Sequence, residues 1–389
     1  MSETEGAPAA TRRNPTDLPF IKNTWYVAGW SSEFDTHAPM ARTIIDEPVV
    51  FYRQRDRRLI ALEDRCPHRW APLSRGRIEG DDLRCMYHGL KLSYEGRCIE
   101  VPGQERIPQG LGVRSFPTLE RHRFAWVWLG EAERADPGLI PDLSMLDEPS
   151  RRLYWGSLDY EAHASLINDN LLDLSHIAYL HEKTAGQPVV HLAEGDLTPC
   201  IPGGAEAQAL ERGVRVETWV TGALARNILV PRNVPNGDLW TRTDFLVPGI
   251  FISQDRMYPA GTASACRAQP PNDALTAAAQ SPLSDAMSIQ AVTPMSARKT
   301  RYFFSYGPRT SDMEEWEANS MWEIVRQTFF EDVAMINAQQ RMIDHHPGTR
   351  MTGIAADRGL VLFRKLMKAL ADGEGPPPLA RSSLAITSP

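Results

Sequence analysis

Two cysteines and two histidines stand in pairs: Cys66 with His68 as C-x-H, then, after sixteen residues, Cys85 with His88 as C-x-x-H. Thiolate and imidazole are the usual ligands of zinc and of iron–sulfur clusters. Each pair is short enough to occupy one loop tip, and the strand-like text around them lets two hairpin loops meet. A zinc site can use the same residue types, but zinc fingers gather both cysteines in one knuckle and both histidines on a helix. Here each half offers one of each. That division suits a two-iron cluster in which Cys66 and Cys85 take one iron and His68 and His88 the other.

A second polar set interrupts apolar text at NLLDLSHIAYLH. Asn170, Asp173 and His176 recur every third residue, among Leu171, Leu172, Leu174, Ile177, Ala178 and Leu180. Such a stripe through an otherwise apolar helix needs partners, and a metal ion is one. His176 and His181 are five apart, about 140° round a regular helix. Both face one ion only if the helix bends or unwinds after Ser175; two satisfied histidines are the alternative. Further on, Trp322, Val325, Phe329, Ile336 and Ile343 form a three-four spaced stripe that contains Asp332. A carboxylate facing a core is costly unless it is paired or binds a metal. This favours Asp332 over Glu331, which lies about 100° away on the helix. Two histidines and one carboxylate are the ligand set of a non-heme iron site with open positions.

The stretch CPHRWAPLSRGRIEGDDLRCMYHG resembles a Rieske [2Fe–2S] domain of the oxygenase type. The respiratory type carries an extra cysteine in each loop, whereas CMYHG has Tyr87 at that place and the first loop has no second thiol. NLLDLSHIAYLH and FFEDVAMINAQQ are similar to the iron-site motif and late ligand helix of Rieske non-heme iron oxygenases. The likeness spans about residues 20–365 and is nearest the vanillate O-demethylase and dicamba monooxygenase group. It implies an α+β chain: an N-terminal all-β Rieske domain, then a catalytic domain with an antiparallel sheet and helices of helix-grip or START-like form. It implies one [2Fe–2S] cluster on Cys66, His68, Cys85 and His88, and one Fe(II) on His176, His181 and Asp332. Asp173 would bridge His176 to His88 of a neighbouring subunit, which implies a head-to-tail homo-oligomer closing as a trimer. Asn170 belongs to the same catalytic motif, and Ile167, Phe251, Ser253 and Trp322 are candidates to line the pocket.

The activity implied is that of a monooxygenase. It would take electrons from NADH through a separate ferredoxin or reductase and use O2 to hydroxylate, or O- or N-demethylate, a small aromatic compound. Ring cis-dihydroxylation is the alternative chemistry, although those enzymes usually pair a longer chain with a separate β subunit. A Rieske electron-transfer protein whose second domain only binds a ligand is the alternative from another class.

The elements that must position these residues follow from pattern. Residues 1–18 read as a tail. Short β-rich runs such as PVVFYRQ, LIALED and FAWVWLG, broken by Gly, Pro and Asp, place an all-β domain over 19–130. The acidic, proline-containing 131–150 reads as a linker over the surface. A helical patch at 163–184, strand-like runs from VRVETWV to TRYFFSYGPR, a long amphipathic helix over 312–343 and a shorter one at GLVLFRKLMKALAD place an α+β domain over 151–370. A flexible tail, 371–389, follows, and 269–282 reads as a loop or flap.

Composition narrows the classes. With 389 residues, 42% hydrophobic, the chain can bury a large core, and its net charge of −7 argues against nucleic acid as the main partner. No apolar run approaches the roughly 20 residues of a membrane helix. The N-terminus lacks a signal-peptide core, so the chain reads as cytoplasmic. Five cysteines suit metal chemistry better than a disulfide scaffold, with Cys98, Cys200 and Cys266 as ordinary thiols. His37, His122, His163, His191, His345 and His346 read as structural or surface residues. Arg65, Arg69, Arg75, Arg77, Arg84, Lys91 and Arg97 around the cluster motif form either a docking rim for an acidic ferredoxin or reductase or a solvated charged face.

Overall fold

The computed structural model describes residues 19–182, 184, 204–223, 237–262, 281–348, 351–354 and 357–374. The stretch 269–282, except for its last two residues, and Cys200, Cys266 and His191 lie outside them.

Strands β1 (Thr24–Trp30) and β11 (Phe124–Leu129) pair antiparallel and bury every side chain, with β10 (Thr118–Arg121) beyond β11. They read as unbroken apolar text because both faces are covered. Phe124, Trp126 and Trp128 point one way with Trp25 and Val27; Ala125, Val127 and Leu129 point the other way with Tyr26 and Ala28. A bulge between Val27 and Gly29 brings Trp30 onto the Trp25 face, which the strict two-residue period would deny it. A second sheet runs β2 (Met40–Ile44), β3 (Glu47–Arg53), β4 (Leu59–Glu63) and β9 (Ser115–Phe116). A third, small sheet, β5 (Arg77–Glu79), β6 (Asp82–Arg84), β7 (Lys91–Leu92) and β8 (Cys98–Glu100), carries the paired cysteines and histidines with the loop that follows β4.

The remainder is built on a seven-stranded antiparallel sheet. Its strands are β12 (Tyr154–Tyr160), β13 (Gly204–Leu210), β14 (Gly213–Ala223), β15 (Gly237–Leu246), β16 (Ile250–Pro259), β17 (Ser284–Ser296) and β18 (Lys299–Pro308), in the order β12-β18-β17-β16-β15-β14-β13. One face takes the helices α1 (Ala164–Leu172), α2 (Ile177–Leu180), α3 (Glu315–His345) and α4 (Arg358–Ala371). Leu166, Ile167, Leu171, Ile336, Phe363 and Leu366 from α1, α3 and α4 pack there on Phe245, Phe251, Val292, Tyr302 and Phe304. The other face, with Ile250, Met287, Ile289, Ala291 and Phe303, meets the tryptophans of β1 and β11. Each such buried side chain contributes about 1.5–3 kcal/mol.

Polar contacts fix the seam between the two units. The β2–β3 turn has positive φ at Ile45 and Asp46, the geometry of a tight hairpin turn, and their N–H groups donate to Pro294 O and Met295 O at 2.8 and 2.9 Å. Thr293 Oγ1 donates to Val27 O at 2.8 Å, and Trp30 Nε1 to Gly156 O at 3.1 Å.

The structure corrects one expectation. The segment 131–150 does not simply cross the surface: Ile140, Leu143 and Leu146 are buried in the core beneath Trp25 and Trp128. Trp128 Nε1 donates to Glu131 O and Trp25 Nε1 to Asp136 O, each at 2.8 Å. A hydrophobic triplet spaced three apart, at the end of one 3₁₀ turn and in and before the next, was hidden by acidic and proline-rich neighbours.

Candidate metal centres

The two loops bearing the cysteine–histidine pairs share one backbone pattern. In the first, Cys66 N donates to Ala71 O (2.8 Å) and Trp70 N to Cys66 O (2.9 Å); in the second, Cys85 N donates to Leu90 O (2.8 Å) and Gly89 N to Cys85 O (3.0 Å). The fourth residue after each cysteine must turn through positive φ. Gly89 does so at +78°, and Trp70 takes the same conformation at +58° despite its side chain. The matched loops bring the two thiols within hydrogen-bonding reach inside the core. The His68 and His88 rings lie at the exposed tip with centroids 4.6 Å apart. Burial pushes the Cys66 thiol up to about 11. Cys66, Cys85 and Cys98 form no disulfide. Two buried sulfurs and two outward imidazoles on superposable loops fit a cluster that divides its ligands between two irons.

The helical motif breaks two residues earlier than the spacing suggested. α1 ends at Leu172, and Asp173 leaves helical geometry (φ −119°, ψ 92°) with its carboxylate accepting from Ser175 N at 3.0 Å. A 3₁₀ turn, Leu174–His176, then leads into α2. The break removes the angular conflict between His176 and His181, whose rings face at 5.2 Å. α3 delivers Asp332 into the same space. His181 Nε2 is 3.2 Å and His176 Nε2 3.6 Å from Asp332 Oδ1, and one ligand atom from each of the three lies within 4.8 Å of the others. Asn170 Nδ2 sits among them, 3.1 Å from Asp332 Oδ1 and 3.2 Å from His176 Nε2.

Both imidazoles are oriented through their other nitrogen. His176 Nδ1 lies 2.6 Å from Asp173 O, and His181 Nδ1 lies 2.9 Å from Glu331 Oε2. These bonds hold the proton on Nδ1 and leave each Nε2 lone pair for an ion. Burial alone would lower the basicity of His181, but the Asp332 and Glu331 carboxylates outweigh it and raise the group. The arrangement therefore fits a non-heme iron, whose charge would replace the proton these carboxylates otherwise favour.

Glu331 is the residue that sequence reasoning set aside. Its 100° offset from the core stripe points it at the flank where His181 stands, and Thr184 Oγ1 donates to it at 2.7 Å. No pattern in the sequence identifies that neighbour. Within one chain the Asp173 carbonyl meets His176, and its carboxylate accepts from Ser175 N.

Of the pocket candidates, Ile167 and Phe251 share the core between sheet and helices, Trp322 packs against Phe304 at 5.5 Å, and Ser253 Oγ turns to Asp255 Oδ2 at 3.4 Å. His163 caps α1 and His122 pairs with Asp147, both structural as read. The basic set is mostly internal to its own sheet. Arg65 pairs with Glu63, Arg77 with Glu79, Arg84 with Glu79 and Glu100, Lys91 with Asp82 and Arg97 with Glu95. Of that set only Arg69 and Arg75 have no ion pair among the described residues. That favours the solvated face over a basic docking rim.

Comparison with known proteins agrees with this reading. Residues 24–117 match the Rieske [2Fe-2S] domain family, and 160–373 match the vanillate O-demethylase oxygenase C-terminal domain. The chain is 34% identical over 364 residues to the toluene-4-sulfonate monooxygenase system iron-sulfur subunit of Comamonas testosteroni, covering 92% of this chain and 100% of that one. It is 40% identical over 243 residues to the dicamba O-demethylase oxygenase component of Stenotrophomonas maltophilia, 61% of this chain and 70% of the relative. A crystal structure of dicamba monooxygenase with non-heme iron and dicamba has a TM-score of 0.71 at 25% identity, covering 91% of this chain and 98% of that one. These relatives favour a monooxygenase over ring dihydroxylation or electron transfer alone. The chain belongs to the vanillate O-demethylase family of Rieske non-heme iron oxygenases, oxidoreductases in which a [2Fe–2S] domain precedes the catalytic domain.

Proposed function

We propose that the chain is the terminal oxygenase of a system that oxidises a small aromatic compound, removing a methyl group from oxygen or nitrogen as formaldehyde. Cys66, His68, Cys85 and His88 hold the cluster, and His176, His181 and Asp332 hold Fe(II). The observation that carries this reading is the convergence of half-buried His176 with buried His181 and Asp332, one ligand atom of each lying within 4.8 Å of the others. When loaded, the cluster relays single electrons and the mononuclear iron activates dioxygen.

The chain's own residues do the rest. Asn170 holds the Asp332 carboxylate, Glu331 holds His181, and the Asp173 carbonyl holds His176. Ile167, Phe251 and Trp322 give the aromatic body an apolar wall, and Ser253 begins its polar end. Asp173 keeps one carboxylate oxygen without a partner among the described residues. In the proposed assembly Asp173 would link His176, held by its carbonyl, to His88 of a neighbouring copy through that oxygen and so couple the two centres. A head-to-tail ring, closing as a trimer, would satisfy this. Surfaces at both ends support it: Trp70 and Tyr87 beside the cluster are 71% and 63% exposed, and Tyr179 beside the iron site is 71% exposed. Large aromatics so exposed mark an interaction surface. Electrons come from NADH through a separate ferredoxin or reductase, and the setting is the cytoplasm. No helix among the described residues is long and apolar enough to cross a membrane.

The test is turnover of methoxyarenes by the purified chain with a reductase under labelled dioxygen. Formaldehyde, one labelled atom incorporated and about three irons per chain are expected. A cis-diol product, or about two irons per chain with Asp332→Ala changing nothing, would overturn the reading.

A further inference from the structure

The helix-facing side of the sheet changes character along its strands. Phe245, Phe251, Gln290 and Phe304 form one cross-strand row, next to that of Tyr302, which lies close enough to Asp332 to feel its charge. The next row is Thr243, Ser253 and Ser288, with Tyr306 two residues beyond Phe304, and the row after pairs Thr241 with Asp255. A mainly aromatic surface therefore gives way to hydroxyls and one acid, of which Thr243, Ser253, Tyr306 and Asp255 are buried. Thr243 is 3% and Tyr306 1% exposed, yet Thr243 Oγ1 and Tyr306 Oη have no hydrogen-bond partner among the described residues. Buried polar atoms left in this state cost free energy and call for an explanation.

Asp255 is the sharper anomaly. Three other acids of this sheet pair with arginines: Asp159 with Arg301, Asp244 with Arg215 and Arg242, Asp285 with Arg151 and Arg256. Asp255, buried like Asp285, has no cation among the described residues. It accepts only from Thr241 Oγ1 at 2.6 Å and from Ser253 Oγ at a long 3.4 Å. Its burial pushes the carboxyl up to about 6. A carboxylate offers about four lone-pair sites, so capacity remains. The missing partner is a donor, and Thr243 in the row beside it lacks a partner too.

We infer that Asp255, with the Thr243 and Tyr306 hydroxyls, forms the end of the substrate pocket remote from the iron and selects an aromatic substrate bearing an ammonium or another N–H or O–H donor there. This rests on the proposed pocket between sheet and helices. A carboxylate or sulfonate at that end would meet a like charge with no arginine to offset it. The toluene-4-sulfonate named for the Comamonas relative is such an anion, so this chain departs from it in ligand charge.

Three ligands of one size separate the cases: para-methoxybenzylamine, para-methoxybenzyl alcohol and para-methoxybenzoate, titrated by calorimetry into the iron-loaded oxygenase at neutral pH. The amine is expected to bind about ten-fold or more tightly than the benzoate, and Asp255→Asn to bring the two within about two-fold. Equal or tighter binding of benzoate, or an unchanged preference in Asp255→Asn, overturns the inference. Thr243→Val is a second probe. It should weaken amine and alcohol by about five-fold; a higher Tm with unmoved binding would mean the hydroxyl is only structural, against the inference. Formaldehyde from the benzoate without amine preference removes this inference and leaves demethylation standing. Formaldehyde from none of the three counts against demethylation, while the heats still decide the charge preference.

Discussion

Replacing Glu331 by alanine should strip iron from the protein without touching either histidine. The His181 Nδ1···Glu331 Oε2 contact is 2.9 Å, His181 is 1% exposed, and Thr184 Oγ1 holds the carboxylate from the other side at 2.7 Å. Removing the acceptor leaves a buried N–H unpaired and frees the ring to rotate or shift its proton to Nε2, the ligand atom. A hydrogen bond to a charged group is worth about 1.5–3 kcal/mol net. At about 1.4 kcal/mol per decade, iron affinity should fall about 10–100-fold, the range found for outer partners of metal-bound histidines. Glu331→Gln keeps an acceptor and should lose less. The assay is Fe(II) affinity by chelator competition, with the visible absorption of the [2Fe–2S] cluster reporting that the fold is intact. Glu323→Ala, which removes only an exposed pair with Arg326, is the control. An alanine variant with an intact cluster and an affinity within about two-fold of wild type would refute the reasoning.

Asp173→Asn should keep both metals near wild-type content while coupled turnover falls by at least about 100-fold; undiminished turnover, read as product per NADH consumed, would remove the bridge. Gly89→Ala forces an L side chain to φ +78° and sets a Cβ 2.8 Å from Pro102 Cγ, costing about 1 kcal/mol or more. Reduced cluster content and a lower Tm are expected, and normal values for both would contradict the loop geometry. Asp255 supplies a pH prediction. Its folded value of about 6 lies above the ordinary 3.8, so its contribution to stability is fully present below 3.8 and lost as pH rises through about 6. At about 1.4 kcal/mol per unit, Asp255→Asn should gain stability over wild type by up to about 3 kcal/mol above neutrality and almost none near pH 4. Urea unfolding at both pH values checks this, and a gain independent of pH would refute it.

Much of the proposed site was legible because its candidate ligands come as short motifs. Cys66, His68, Cys85 and His88 lie within two loops, and local backbone geometry alone presents them. Asp332 was recoverable because a carboxylate inside an apolar stripe conflicts with the helix around it. The break in the ligand helix was required by the angle between His176 and His181, but its place was not. It fell at Asp173, whose side chain competes for the backbone N–H of Ser175 and so ends α1 early. The linker was misread because composition reports the solvent-facing majority, and three buried residues sufficed to anchor it.

The sequence by itself determined the kind of chemistry, the candidate ligand types and the order of a β-rich Rieske domain before an α+β catalytic domain. These depend on residue identity and on spacing along one element. Only the tertiary structure decided what stands beside the candidate ligands, Glu331 against His181 and Asn170 among the triad, and that Asp255 is buried without a cation among the described residues. Those relations join residues far apart in the chain, Glu331 to His181 across 150 positions and Asp332 to Asn170 across 162. No local period encodes such contacts, because they are set by how the helices pack on the sheet.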